Sequence, residues 1–359
     1  MTGLQIPFTG LKKQYNTLRT EILDVTDEVL RSGQLMSGNY TAEFENWLAK
    51  RNHSKYAVTC HSGTHALEII AAYYYTKVSI RPPRVVLPSM TYVATANAFA
   101  NAGWEIYLGD TDYHGLLDKK KLPEDLSIQA TVLVGLYGMS VDELETKFWA
   151  TDLVIEDGAQ HWLSNDCRRI GNATAISFDP MKNLNSYGNG GAVVTDDLDL
   201  LEFARGYRNN GKPKNDVSGT NSRMSEVDCA QMMVKTEYID EWQERRKKIA
   251  LYWMGRLKGS GIRTLVDSNN FQTHAFHKFV IDVDSRDILQ RNLALKKIET
   301  RIHYEQPVHE LPAYAECSGP DILSVASAMS RRVLTLPFYP ELSDLEVEYI
   351  IDQLLNHGA

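Results

Sequence analysis

The chain has 359 residues, 43% of them hydrophobic, enough for a large core and a smaller second lobe. Its net charge of −8 and isoelectric point near 5.7 argue against a nucleic-acid binder, which needs a basic footprint. The four cysteines (Cys60, Cys167, Cys229, Cys317) are scattered without CxxC pairing, no apolar run reaches the ~20 residues of a membrane helix, and no stretch reads as a signal peptide; the expectation is a cytoplasmic protein with reduced thiols and no zinc.

In chain order, helices are predicted over 11–32 and 39–50. The stretch Val58 to Leu67, VTCHSGTHAL, reads as a strand, a tight turn and a helix start. A strand follows at 84–87, a helix at 93–102, and strands near 105–108, 130–135 and 152–156. This alternation predicts an α/β fold whose mostly parallel sheet has helices on both faces. A further β-like run covers 192–195. From Val227 to Leu257 the apolar spacing predicts one long amphipathic helix. It would lead from a large domain, residues 1–235, to a small C-terminal α+β domain, residues 236–359. Strands are expected there near 274–283 and 300–304, and a closing helix over 344–355. The basic run Arg245 to Lys248 is most simply a solvated helix face.

Three segments carry chemistry. Ser62-Gly63-Thr64 falls at a helix N-terminus, where unpaired N–H groups and the helix dipole suit a phosphate. LVIEDGAQ (Leu153 to Gln160) is a strand ending in Glu156 and Asp157, at the sheet edge where α/β proteins bind ligands. SFDPMKNLNSYGNGG (Ser177 to Gly191) holds Lys182 between two strands, a setting that can lower an amine's pKa for attack on a carbonyl. A phosphate cradle, a carboxylate for a ring nitrogen and a Schiff-base lysine are what pyridoxal 5'-phosphate requires. Each has a plainer reading: Asp157 or Thr64 as a helix cap, Tyr92 as core, His303 and His309 as surface or satisfied core histidines. The turn at Gly188 to Gly191 lacks the order of a P-loop and leads into a strand.

These motifs, with IPFTGLKKQY (Ile6 to Tyr15), SGQLMSG (Ser32 to Gly38), LPSMTYVATANAFANAG (Leu87 to Gly103), NSRMSEVDCAQ (Asn221 to Gln231) and IHYEQPVHELPAY (Ile302 to Tyr314), resemble the DegT/DnrJ/EryC1/StrS sugar aminotransferases. The resemblance covers nearly the whole chain and implies the fold type I architecture of the aspartate aminotransferases. By position it makes Lys182 the Schiff-base lysine and Asp157 the partner of the pyridine nitrogen. Gln160 would lie near the ring hydroxyl, Tyr92 on the ring face, and Gly63, Thr64 and Ser177 at the phosphate. Asn221 would reach the phosphate of a neighbouring subunit, implying a homodimer with shared sites, and His309 would lie near the substrate. The implied reaction is ping-pong transfer of an amine from glutamate to a nucleotide-linked keto sugar, with KNLNSYGNGG favouring the 3-keto over the 4-keto position. Alternatives are a pyridoxal-phosphate sugar dehydratase or lyase, and a non-catalytic regulatory protein of the same fold. The chain departs from the family at Asp179, commonly aromatic or histidine, and at Gly158, usually alanine. The segments from Tyr137 to Asp157 and from Gln160 to Gly171 look shorter than usual.

Overall fold

The computed structural model describes residues 4–123, 127–141, 151, 153–164, 167–317, 319 and 323–356. Parts of the two segments expected to be short, residues 142–150, 152, 165 and 166, lie outside them. The first half forms α1 (Leu11–Ser32), α2 (Asn39–Arg51), β1 (Tyr56–Cys60), α3 (Gly63–Lys77), β2 (Arg84–Pro88), α4 (Ala94–Asn101), β3 (Glu105–Gly109), β4 (Ala130–Val134), β5 (Val154–Asp157), β6 (Ala173–Ser177), β7 (Gly191–Thr195) and α5 (Leu198–Tyr207). The strands make one seven-stranded sheet in the order β1-β7-β6-β5-β4-β2-β3.

β4, β6 and β7 are buried at every position, as expected of strands covered on both faces. The pairs β3–β2, β2–β4, β4–β5 and β5–β6 are parallel; β7 alone runs antiparallel, to both β6 and β1. That reversal has a geometric consequence. β1, β5 and β6 all run one way, so their C-terminal ends share an edge with the start of β7. α3 begins at that edge, its first turn capped by Ser62, whose hydroxyl accepts from the His65 N–H at 3.2 Å. α3 is apolar nearly all round because it packs between the sheet and α4.

The second half adds α6 (Glu226–Thr236), α7 (Ile239–Leu257), β8 (Arg263–Thr264), β9 (Phe279–Asp282), α8 (Arg286–Leu295), α9 (Ser324–Arg332), β10 (Val333–Leu336) and α10 (Asp344–Leu355). β10, β9 and β8 form a three-stranded antiparallel sheet. A second hydrophobic cluster surrounds Trp253, whose ring meets Phe279 edge-on at 5.0 Å and whose indole N–H donates to the Val347 carbonyl at 3.0 Å. Ile6 is fully buried in this cluster and bridges to Ile298, so the N-terminal segment crosses to the small lobe.

Four expectations are corrected. The basic run Arg245 to Lys248 is not a uniformly solvated face: Arg246 is buried, its Nη1 donating to the Phe338 carbonyl at 2.9 Å. The helix expected over 227–257 is two helices, α6 and α7. At the junction Glu237 and Tyr238 donate to carbonyls only three residues back, and the Thr236 hydroxyl donates to the Met233 carbonyl at 2.6 Å, which ends the α-helical ladder. The strand near 274–283 is confined to Phe279–Asp282. Before it, the N–H groups of Ala275 and Lys278 donate to the Gly138 and Tyr137 carbonyls, so the backbone serves a turn of the large lobe and no neighbouring strand. Residues 300–304 make a single bridge, Arg301 to Thr335, and then turn away.

Candidate active site

The shared edge of β1, β5, β6 and β7 opens on a cavity of about 380 Å³. Ser62, Gly63 and Thr64 line it from the start of α3, Asp157 from the end of β5, Ser177 from the end of β6 and Gly190 from the entry to β7. Tyr92, Gln160 and Lys182 complete the set expected there, and His303 and Tyr304 enter from the small lobe.

The glycines make the close approach possible. A Cβ on Gly63 would stand 2.5 Å from the Ser177 Cβ, and one on Gly191 would stand 2.3 Å from the Ser62 carbonyl carbon. Without side chains at these positions, the first N–H groups of α3 and the Ser177 hydroxyl face one small space.

Asp157 is buried and held at both oxygens. Thr95 Oγ1 donates to Oδ2 at 2.7 Å, and the Ala159 N–H donates to Oδ1 at 3.2 Å. Thr91 and Thr95 lie 3.1 Å apart through their hydroxyls, extending the network. Beneath it, Gly135 N–H donates to His161 Nδ1 at 3.0 Å, which fixes the tautomer: His161 Nε2–H donates to Glu156 Oε1 at 2.8 Å. Burial alone would raise the Glu156 carboxyl, but the His161 and Thr174 hydrogen bonds hold it below the usual range. Gly158 is explained here, since a Cβ would meet Thr174 Cγ2 at 2.6 Å.

Gln160 is buried, its Oε1 accepting from the Tyr137 N–H at 2.8 Å and its Nε2 donating to the Tyr304 hydroxyl at 3.3 Å. Burial, then the Asp157 charge, raises the Tyr304 phenol, so it stays protonated. The core reading of Tyr92 fails: it is 55% exposed, lies on the cavity wall and tilts against Tyr304 at 5.8 Å.

Lys182 sits on a tight turn after β6. Its N–H donates to the Asp179 carbonyl at 2.8 Å, while Asp179 Oδ1 accepts from the Met181 N–H at 2.9 Å. Asp179, a departure from the family pattern, thus shapes the turn. Asn183 anchors the other side: its Nδ2 donates to the Ala275 carbonyl at 2.7 Å, and its Oδ1 accepts from His277 Nδ1 at 3.1 Å. Burial pushes the Lys182 amine below the ordinary lysine value, against the pull of Asp157 and Asp179. His303 is driven down to about 3 by burial and then by Lys278, Lys182 and Arg301, so it lines the cavity as a neutral imidazole.

Two expected site residues lie outside the cavity lining. Asn221 is exposed and bridges to Asn209. His309 has both ring nitrogens engaged, Nδ1 with Ser89 and Nε2 with Ser327 at 3.1 Å. Conversely, sequence reasoning missed Thr95, His303 and Tyr304 as site residues. Among the described residues no acidic, histidine or cysteine cluster could hold a metal, and no helix is long and apolar enough to cross a membrane.

A neutral-leaning amine, a clamped carboxylate and a helix-start cradle at one cavity are a combination found in a known family. The model of the DegT/DnrJ/EryC1/StrS aminotransferase family matches residues 16–355. The chain is 33% identical to the dTDP-3-amino-3,4,6-trideoxy-alpha-D-glucose transaminase of Streptomyces venezuelae, over 97% of this chain and 95% of that protein. It is 31% identical to the pleiotropic regulatory protein of Geobacillus stearothermophilus, over 98% of each. It superposes on the crystal structure of S. venezuelae DesV in complex with a ketimine intermediate with a TM-score of 0.91 and 32% identity, over 99% of both chains. The fold, the order of its motifs and these matches over nearly the full length agree: this chain belongs to the DegT/DnrJ/EryC1/StrS aminotransferase family.

Proposed function

We propose that this chain moves an amino group from glutamate to the 3-keto position of a nucleotide-linked sugar, with pyridoxal 5'-phosphate as carrier. The observation that carries the reading is the convergence of Lys182 and Asp157 on one cavity with the start of α3. The residues present fit the cofactor. Gly63 leaves room where a Cβ would collide with Ser177, so Gly63, Thr64 and Ser177 would hold the phosphate. Asp157 would pair with the ring nitrogen, Gln160 would face the ring hydroxyl, Tyr92 would cover the ring and Lys182 would hold the aldehyde. When bound, the cofactor supplies an electrophilic carbon and an electron sink for the donor's α-carbon.

The chain's own part is positioning and proton movement. Thr95 and the Ala159 N–H hold the Asp157 carboxylate oxygens in place, where they would meet the ring nitrogen. The amine of Lys182, biased to the neutral form by burial, takes a proton from the α-carbon of the donor at Nζ and delivers it at the end of the half-reaction. The keto acid leaves, the keto sugar enters and the same proton movements run in reverse, which makes the kinetics ping-pong.

The 3-keto assignment draws on the loop KNLNSYGNGG and on the 3-amino sugar named for the Streptomyces relative. A second copy would supply Asn221 to the phosphate. Its exposed position on the monomer and the exposed apolar side chains of Leu23, Leu30, Leu35 and Met36 support a homodimer. We place the reaction in the cytoplasm. A regulatory role without turnover is the second reading, favoured by the name of the Geobacillus relative. One experiment separates them: the visible spectrum of the protein loaded with pyridoxal phosphate, before and after glutamate. Conversion of the Schiff-base band to the pyridoxamine form is expected. A band unchanged by glutamate and by glutamine would defeat the transferase reading.

A further inference from the structure

The Lys182 turn is part of a longer loop between β6 and β7, and only the two arms of that loop line the cavity. Met181 and Lys182 line it on the way out, Asn189 and Gly190 on the way back. Between the arms, Leu184, Asn185 and Ser186 are buried. The Ser186 N–H donates to the Phe178 carbonyl at 2.8 Å, which closes residues 179–185 into a loop that carries Lys182. These residues belong to no strand or helix, so their buried carbonyls need donors from elsewhere.

One donor comes from α6. Lys235 is fully buried, and its Nζ donates to the Asn185 carbonyl at 2.8 Å. The same amine stands 3.6 Å from the centre of the Tyr187 ring, which the Tyr15 ring of α1 meets edge-on at 5.9 Å. Asn183 is tied to the segment before β9 through Ala275 and His277. The loop is thus held from two sides. Taking a lysine out of water costs more than burying an apolar side chain of similar length, so its place in the interior is explained by what it holds. Lys235 lines neither the cavity nor the smaller one beside it, and a molecule bound at Lys182 would not touch it. What it holds is the loop.

We propose that Lys235 is a positioning residue for Lys182: by pinning the Asn185 carbonyl and the Tyr187 ring it sets both arms of the loop at the cavity wall. The consequence for catalysis rests on the aminotransferase reading above. An amine keeps N–H groups in its charged and its neutral form, so the bond to Asn185 survives titration. Methionine at this position fills similar space and leaves the Asn185 carbonyl without its donor. Arginine brings back both a donor and a cation for the Tyr187 ring.

Two measurements test this. In the first, hydrogen exchange of the cofactor-free protein is read by mass spectrometry. Peptides from 179–190 should exchange about tenfold faster in Lys235→Met, and peptides from β4 and β5 at the wild-type rate. Unchanged exchange in 179–190 overturns the pin, whatever the enzyme's activity. In the second, one half-reaction with glutamate is followed in protein loaded with pyridoxal phosphate. Its rate constant should fall about tenfold or more in Lys235→Met, with half-saturation by glutamate within about twofold of wild type, and Lys235→Arg should recover to within about threefold. A wild-type rate constant in Lys235→Met overturns the positioning role, and so does a loss in Lys235→Arg equal to that in Lys235→Met. Should Lys235→Met not fold, Tyr187→Leu removes the ring under the amine and is judged by the same exchange and rate outcomes. If glutamate gives no half-reaction in the wild type, the proposed function fails, and hydrogen exchange still decides the pin.

Discussion

The large lobe delivers its site residues from strand ends, whereas the small lobe delivers His303 and Tyr304 from a stretch with almost no regular pairing. Asp157 and Ser177 each close a fully buried strand, and Gly63 opens a helix at the same edge. Their positions follow from sheet register. His303 and Tyr304 are fixed instead by individual contacts: His303 Nδ1 to Thr335 Oγ1 at 2.9 Å, the Tyr137 hydroxyl to the His303 carbonyl, and Gln160 to Tyr304. The difference teaches that the reacting groups are set by topology, while the groups around them are set by side-chain fit. Changes in the first set should therefore abolish chemistry, and changes in the second should tune it.

The largest expected effect is Lys182→Ala. On the proposed mechanism it removes the proton carrier and should cut amino transfer by at least about 10³-fold, with loss of the Schiff-base absorbance. Retention of full turnover would remove Lys182 from the mechanism. Asp157→Asn comes next. Thr95 Oγ1 and the Ala159 N–H bond different carboxylate oxygens, so only one of them would still meet an oxygen; the charge would also be gone, and kcat should fall by about 10²-fold or more with the folded state intact. Circular dichroism and single-turnover rates distinguish this from misfolding.

Tyr304→Phe is the small-lobe counterpart. It deletes the hydroxyl that receives the Gln160 amide and should lower kcat/KM by about 3–10-fold, with the cofactor still bound. A loss as large as that of Asp157→Asn would erase the proposed division between the lobes.

The smallest effect concerns stability and pH. Lys235 is fully buried, its Nζ donating to the Asn185 carbonyl at 2.8 Å beneath the Tyr187 ring. Burial pushes its amine down to about 7, with Glu341 opposing. In the unfolded chain a lysine titrates near ~10.4, so between these values the unfolded state binds more protons. Stability should thus rise with pH from about 7 upward, and below 7 the cost of the buried charge is constant. Lys278 behaves in the same way, pushed down to about 7 by burial and then by Lys182 and Arg246. Lys235→Met should flatten the climb of Tm between pH 7 and 9 without removing it, as thermal melts at several pH values would show.

The same division explains what could be read from the sequence. Lys182, Asp157, Gln160 and the Gly63 turn are legible because each sits in a short local motif whose strand or helix boundary is marked by residue type. His303 and Tyr304 were hidden because THAFHKFVIDV and the residues near Thr300 alternate like strands. Before Phe279 the alternation reflects His277 turned inward to bond Asn183, and near Thr300 it reflects His303 bonding Thr335; the ladder is confined to Phe279–Asp282 and the single Arg301–Thr335 bridge. Thr95 was hidden because a threonine inside a predicted helix start carries no mark of the carboxylate it will meet 62 positions later. The break between α6 and α7 has no proline or glycine to announce it. It comes from a hydroxyl bonding back to its own helix, which periodicity does not register.

The route of Ile6 has a consequence for how the chain is built. Phe8 N–H donates to Glu299 Oε2 at 2.9 Å across 291 positions, and the side chains of Lys278 and Arg301 approach the Phe8 ring at 5.2 and 5.1 Å from its centre. A chain emerging from the ribosome therefore presents this strap some 291 positions before its docking surface. The large sheet can assemble while the strap is still unattached, but the small lobe cannot close its core until the last helices arrive and the strap returns. The wall beside Lys182 therefore depends on a contact between segments far apart in the chain, which cannot close until the later one has been made.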